Sequence, residues 1–132
     1  MFELSPNAVG TPWTEIVLHR FCAQGGICLY GADSAAGLIM DASGNLFGTT
    51  VYGGRSLGQI GAGVVFELMA TAPGTSRTEK VLHHFCNRGL PCIHGHFPEA
   101  GLISDGSGNL YGTTPYGGVN NEGVVFELVK SP

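Results

Sequence analysis

Apolar residues fall in short bursts along this chain, and every burst is closed by glycine, proline or an Asp/Asn-rich stretch. That spacing fits strands of about 4 to 8 residues, and nothing in it reads as the 3.6-residue period of a helix. Between residues 37 and 85 four segments have strand character. Gly37-Leu-Ile-Met-Asp41 is a continuous apolar run suited to a strand covered on both faces. Asn45-Leu-Phe-Gly-Thr-Thr50 is the second, Val64-Val-Phe-Glu-Leu68 the third, and Glu79-Lys-Val-Leu-His-His-Phe85 the fourth. The first two are joined by Asp41-Ala-Ser-Gly-Asn45, which has hairpin chemistry: Asp41 can accept hydrogen bonds from turn amides, Gly44 can take the positive φ that closes such loops, and Asn45 re-enters the strand. Together they predict an antiparallel meander.

The same pattern is written twice. Residues 14–54 realign on 78–118 without a gap and Gly63–Leu68 on Gly123–Leu128, with identity at 31 of 47 positions. The hairpin recurs as Asp105-Gly-Ser-Gly-Asn109, with Gly108 and Asn109 in the places of Gly44 and Asn45. Phe2-Glu-Leu4 reproduces the end of each repeat and is followed, as Leu68 is, by nine residues before the next Thr-Glu. The chain therefore reads as one repeat domain, 1–132. Residues 1–21 carry the last two strands of a unit, 36–85 a full unit, and 100–128 the first three strands of another. A four-stranded meander repeated in tandem is the unit of a β-propeller, one blade per repeat. The GLIMD and GLISD segments would then line the central channel, with TEIVLHRF and TEKVLHHF outermost. A β-sandwich or β-solenoid could use the same strands.

AGLIMDASGNLFGTTVYGG, and GNLYGTTPYGG followed by GVVFEL, resemble the tandem repeat called GloVer, found in long bacterial proteins that look secreted or surface-anchored. The resemblance covers essentially the whole chain. It implies a propeller architecture and a cell-surface or extracellular setting, and it brings no catalytic residues. The chain differs from such proteins in carrying few repeats.

About two blades cannot close a ring, which takes about 4 to 8. The expected completion is by self-association: the Thr14 to Phe21 strand of one subunit fastens onto the Val124 to Leu128 strand of the next. The product is a homo-oligomeric ring, trimer or tetramer, or an open filament where the rotation does not close. The competing reading is a piece of a longer propeller. Met1 stands where the repeats have Val65 and Val125, which points to a parent sequence starting further upstream.

Composition narrows the partners. The net charge is -4 with only six Lys and Arg, none clustered, so there is no electrostatic footprint for nucleic acid or an anionic membrane. With 43% hydrophobic and 12% charged residues the chain is a folding one, and its 22 glycines recur at fixed turn positions. No apolar run approaches the roughly 20 residues of a membrane-spanning helix, and the N-terminus lacks the pattern of a signal peptide. Cys22 with Cys28 and Cys86 with Cys92 repeat one spacing in both units, so each repeat is expected to close its own disulfide in an oxidising compartment. A four-cysteine metal site and four free thiols are the competing readings.

Candidate chemistry is sparse. His94 and His96 could share a strand face while His83 and His84 cannot, yet Tyr30 and Ala32 replace the former pair in the first repeat, so no metal or cofactor is expected. Asp41 and Asp105 read as turn formers rather than as calcium ligands or acid/base groups. No paired carboxylates, activated serine or Cys-His arrangement is present. The aromatic residues Tyr52 and Tyr116, each beside a Gly-Gly pair, and Trp13 in a link are the candidates for ligand contact, competing with a role in packing beneath their loops. The functional expectation is a non-catalytic secreted or surface module for self-assembly or recognition. A carbohydrate-binding propeller with pockets between blades is the alternative. A lyase- or lactonase-like channel enzyme is third, with only Asp41, Asp105 and Ser104 to serve it.

Overall fold

The computed structural model describes the chain except Asn7, Thr11 and residues 56–59. The fold is all-β, with no helix among the described residues. The described residues form nine strands, β1 (Phe2–Ser5), β2 (Thr14–Val17), β3 (Ile39–Met40), β4 (Leu46–Thr50), β5 (Val64–Leu68), β6 (Glu79–His84), β7 (Ile103–Ser104), β8 (Leu110–Thr114) and β9 (Val124–Leu128). They form three antiparallel sheets in chain order: β1-β2, β3-β4-β5-β6 and β7-β8-β9. Every ladder joins neighbours in sequence.

Local chemistry fixes these strands. In the first hairpin Asp41 Oδ1 accepts from the Ser43 and Asn45 amides at 2.9 Å, its Oδ2 accepts from Asn45 Nδ2, and Gly44 takes φ +83°. Asp105 does the same with Ser107 and Asn109, around Gly108 at φ +85°. Asn45 and Asn109 then use their side-chain oxygens to hold the amides of Ala70 and Lys130, tying each hairpin to the segment that leaves the third strand. Gly48, in the middle of β4, lies beneath the Phe66 ring: a Cβ there would meet Phe66 Cζ and Leu38 Cδ2 at 2.7 Å.

The middle sheet is packed on both faces. Val64, Phe66 and Leu68 point to the N-terminal sheet, where Leu18 joins them in a buried cluster bordered by Met1, Ile16 and Phe21. Val65, Phe85 and Ala62 point to the C-terminal sheet and pack on Leu102, Leu110, Phe126 and Leu128. A β-bulge beside Val65 and Phe66 adds Leu82 to β6 and brings both Val65 and Phe85 to this second face. Backbone bonds cross the junctions as well, from Arg77 N to Leu18 O at 2.8 Å and from Phe97 N to Ala62 O at 2.9 Å.

The GLIMD and GLISD segments differ from the expectation of strands covered on both faces. Each contributes a strand of only two residues, with Met40 and Ile103 well exposed. The physical reason is position. β3 and β7 are edge strands, each with a single hydrogen-bonded neighbour among the described strands.

Candidate functional site

Tyr52 lies just past β4 and exchanges backbone hydrogen bonds with Ala32, and Tyr116 forms the equivalent bridge with His96, accepting from its amide at 3.2 Å. Phe97 follows in the left-handed region at φ 55°, uncommon for a side chain of its size. That turn carries its ring across to the first repeat, where it meets Tyr52 edge-on at 5.5 Å. His96 lies 4.8 Å from Phe97 and is stacked by Tyr116 at 5.6 Å. Two of the three aromatic candidates are thus brought into one cluster at the junction of the repeats. Phe97 and His96, its other members, are not singled out as aromatics by the repeat pattern, because Asp33 and Ala32 hold their places in the first repeat. The non-repeating pair His-Phe beside a repeated Gly is the signal that marks them. Burial holds His96 below the usual histidine range, and its Nδ1 is buried without a partner. Trp13 stands apart, exposed in the link between β1 and β2.

A second arrangement lies where the N-terminal sheet meets the middle one. Glu79, at the start of β6, faces the N-terminal sheet beside Leu68. Its Oε2 is 3.0 Å from His19 Nε2, while its Oε1 is buried without a partner. Burial pushes Glu79 up to about 7. His19 is held down, first by burial and then by the N-terminal ammonium, against a hydrogen bond with the Arg77 backbone. Both shifts favour uncharged partners, so the contact is a hydrogen bond between a carboxyl and a neutral imidazole until Glu79 ionises. The Cys22–Cys28 disulfide loop forms the outer wall of a cleft above it, with Ile27, Leu29 and Tyr30.

The repeats also supply their own controls. Val65 and Val125 occupy the same place in the same VVFEL segment, yet Val65 is 0% exposed and Val125 78%. Leu38 and Leu102 are likewise equivalent, at 37% and 3%. Leu102 is covered by the middle sheet, which has all four strands. Leu38 faces the N-terminal sheet, which has two, and a cavity of about 380 Å³ opens there between Phe2, Glu3, Leu38, Met40 and Leu46. Val125 lies on the outer face of the C-terminal sheet, whose β9 pairs only with β8.

The remaining candidates are placed as follows. Cys22–Cys28 and Cys86–Cys92 are disulfide-bonded and no free cysteine remains. Asp41 and Asp105 are held below the usual carboxylate range, in the first place by the side chains of Asn45 and Asn109. His84 Nδ1 accepts from the Arg55 amide at 3.2 Å, while His83 packs edge-on against Phe85. Among the described residues no three His, Cys, Asp or Glu side chains converge as metal ligands would, and no helix is long and apolar enough to cross a membrane. In the longer glycine-rich loop of the first repeat, 55–62, residues 56–59 lie outside the described residues. No family model matches the chain, and no curated protein or solved structure is found similar to it.

Proposed function

We propose that this protein is a non-catalytic, disulfide-bonded repeat module whose sheets are blades of a β-propeller, and that it works by associating with further copies of itself in an extracellular or cell-surface setting. The observation that carries this reading is the pair of internal controls. The covers present over Val65 and Leu102 are missing over Val125 and Leu38, and the two deficits complement each other. A C-terminal sheet with first, second and third strands meets an N-terminal sheet with third and fourth. Such a head-to-tail contact is heterologous, so it yields a ring or a filament rather than a two-fold dimer. Covering Leu38, Ile103 and Val125 would return on the order of 1–2 kcal/mol each, against an association cost of about 4–15 kcal/mol. The faces alone therefore support weak, concentration-dependent assembly. The absence of chemistry is supported by Asp41 and Asp105, whose carboxylate oxygens are engaged in turn bonds. The test is the native mass of the oxidised chain from 1 to 200 μM, on the order of the weak affinities expected. Discrete oligomers or growing fibres are expected for the wild type and a monomer for Val125→Glu. A wild-type monomer throughout would leave these faces to adjoining repeats of a longer chain and overturn self-assembly.

A second reading, carbohydrate recognition, is favoured by the Tyr52–Phe97–His96–Tyr116 cluster, in which Tyr52 and Tyr116 keep part of their rings exposed. Partly exposed tyrosine rings of this kind suit the apolar face of a sugar. Binding on a glycan array that Tyr116→Ala lowers at least about tenfold is the expected result for this reading. No binding by the wild type removes it.

A further inference from the structure

We infer that β1 is a placeholder, and that in the assembly β2 leaves it for β9 of another copy, delivering Glu15 to that copy's His83. This rests on the self-association just proposed and specifies how it is made. The argument starts from the His19–Glu79 contact. His19 belongs to the outermost strand of one sheet and Glu79 to the outermost strand of the next. By the repeat, His83 is the counterpart of His19 and Glu15 that of Glu79. Neither has an ion-pair partner among the described residues, since the outermost strand that would bring a glutamate to His83 is missing from the C-terminal sheet. The His19–Glu79 pair is satisfied within the chain, whereas Glu15 on β2 and His83 on β6 are each half of another.

Pairing register shows that the halves fit. Glu79 lies opposite Leu68 on β5, and Glu15 opposite Leu4 on β1, so the strand that accepts this element presents Phe-Glu-Leu in both cases. β9 presents the same Phe126-Glu127-Leu128 and has its outer edge unpaired. Moved onto β9 in that register, Glu15 faces Leu128, Val17 faces Phe126 and Ile16 faces Glu127. Glu15 then points at the middle sheet of the receiving copy, as Glu79 points at His19. The donor's own His19–Glu79 contact is preserved because β2 stays on its own middle sheet. Only the third strand beneath it changes. Val125 of the receiver replaces Met1, and β7 and β8 cover the Leu38 cavity that β1 leaves open. Trp13 is the counterpart of Arg77, whose amide bonds Leu18 O and whose guanidinium bonds Gly44 O. In the exchanged form Trp13 therefore moves from solvent to a place between Leu82 and Gly108 of the partner copy.

β1 and β9 offer β2 nearly the same ladder, four residues against five, so exchange is governed by concentration and by whatever weakens β1. This separates exchange from simple stacking of intact ends. Stacking uses the Phe2 and Leu4 faces, so Leu4→Asp would weaken assembly. Exchange discards those faces, and a carboxylate at position 4 would lie directly opposite Glu15 and weaken the β1–β2 ladder, so Leu4→Asp strengthens it. The experiment measures the apparent Kd by sedimentation, with emission of the single tryptophan as a second readout. Expected are a blue shift of Trp13 on assembly, a tighter Kd for Leu4→Asp, and a Kd about tenfold weaker for Glu15→Ala and for His83→Ala alone, with the double variant no worse than either. Weakening by Leu4→Asp, unchanged Trp13 emission, or about a hundredfold loss in the double variant overturns the exchange. The Glu15 and His83 variants leave β1 intact, so the cycle stands even where Leu4→Asp fails to fold. A chain monomeric in both wild type and Leu4→Asp defeats self-association itself, whereas assembly without Glu15–His83 coupling defeats only the exchange.

Discussion

Gly48 and Gly112 are invisible to a reading in apolar and polar letters, yet they decide how closely the third strand's aromatic can approach the second. Phe66 lies over Gly48 and Phe126 over Gly112, each with ring atoms where a Cβ would be. Leu38, partly exposed beside its cavity, can turn aside, but Phe66 is fully buried and cannot. Gly48→Ala is therefore expected to cost about 1–3 kcal/mol through displacement of the ring, read as a lower urea midpoint with secondary structure retained. The turn residues were legible in the sequence because one side chain does several local jobs: Asp41 and Asn45 complete the hairpin and then hold the next strand's exit. Phe97 was not legible, since its contact with Tyr52 depends on a left-handed turn taken by a bulky residue.

At the level of strands and sheets, the His19–Glu79 contact makes the first junction sensitive to pH. Burial raises Glu79 from 4.5 to about 7 in the folded chain, so its favourable contribution is complete below about pH 4.5 and is lost as pH rises through 7. His19, held below its ordinary value, acts in the opposite sense on the acid side, and the N-terminal ammonium and the Arg77 backbone are the other groups facing it. The difference between wild type and Glu79→Gln isolates the carboxyl. Between pH 5 and 8.5 wild type should lose on the order of 2 kcal/mol relative to the variant, measured by urea unfolding at each pH. Strand positions were legible because each burst of apolar residues is closed by turn chemistry. The short, exposed β3 and β7 were not, because an apolar run of five does not reveal whether a neighbour lies on both sides.

For the whole molecule, the repeat made the all-β architecture legible and also produced the most useful comparison, identical segments in unequal surroundings. Val65 with Val125 and Leu38 with Leu102 separate what sequence dictates from what neighbours provide. The prediction at this scale is the native-mass result: loss of assembly in Val125→Glu, with the wild type associating at higher concentration. What the pattern of residues leaves open is which acceptor β2 takes, since the Phe-Glu-Leu of β1 and that of β9 are the same three letters.

All strand pairing here is between neighbours along the chain, and only side chains and a few backbone bonds join one sheet to the next. Each sheet can therefore form or fray with its own equilibrium, biased by its neighbours but not compelled by them. Cooperativity in such a chain is set by the two junctions, and it grows with the number of units in contact. A lone copy is then the least cooperative arrangement of these sheets, and under the proposed self-association contact with further copies would make its end sheets as firm as its middle one.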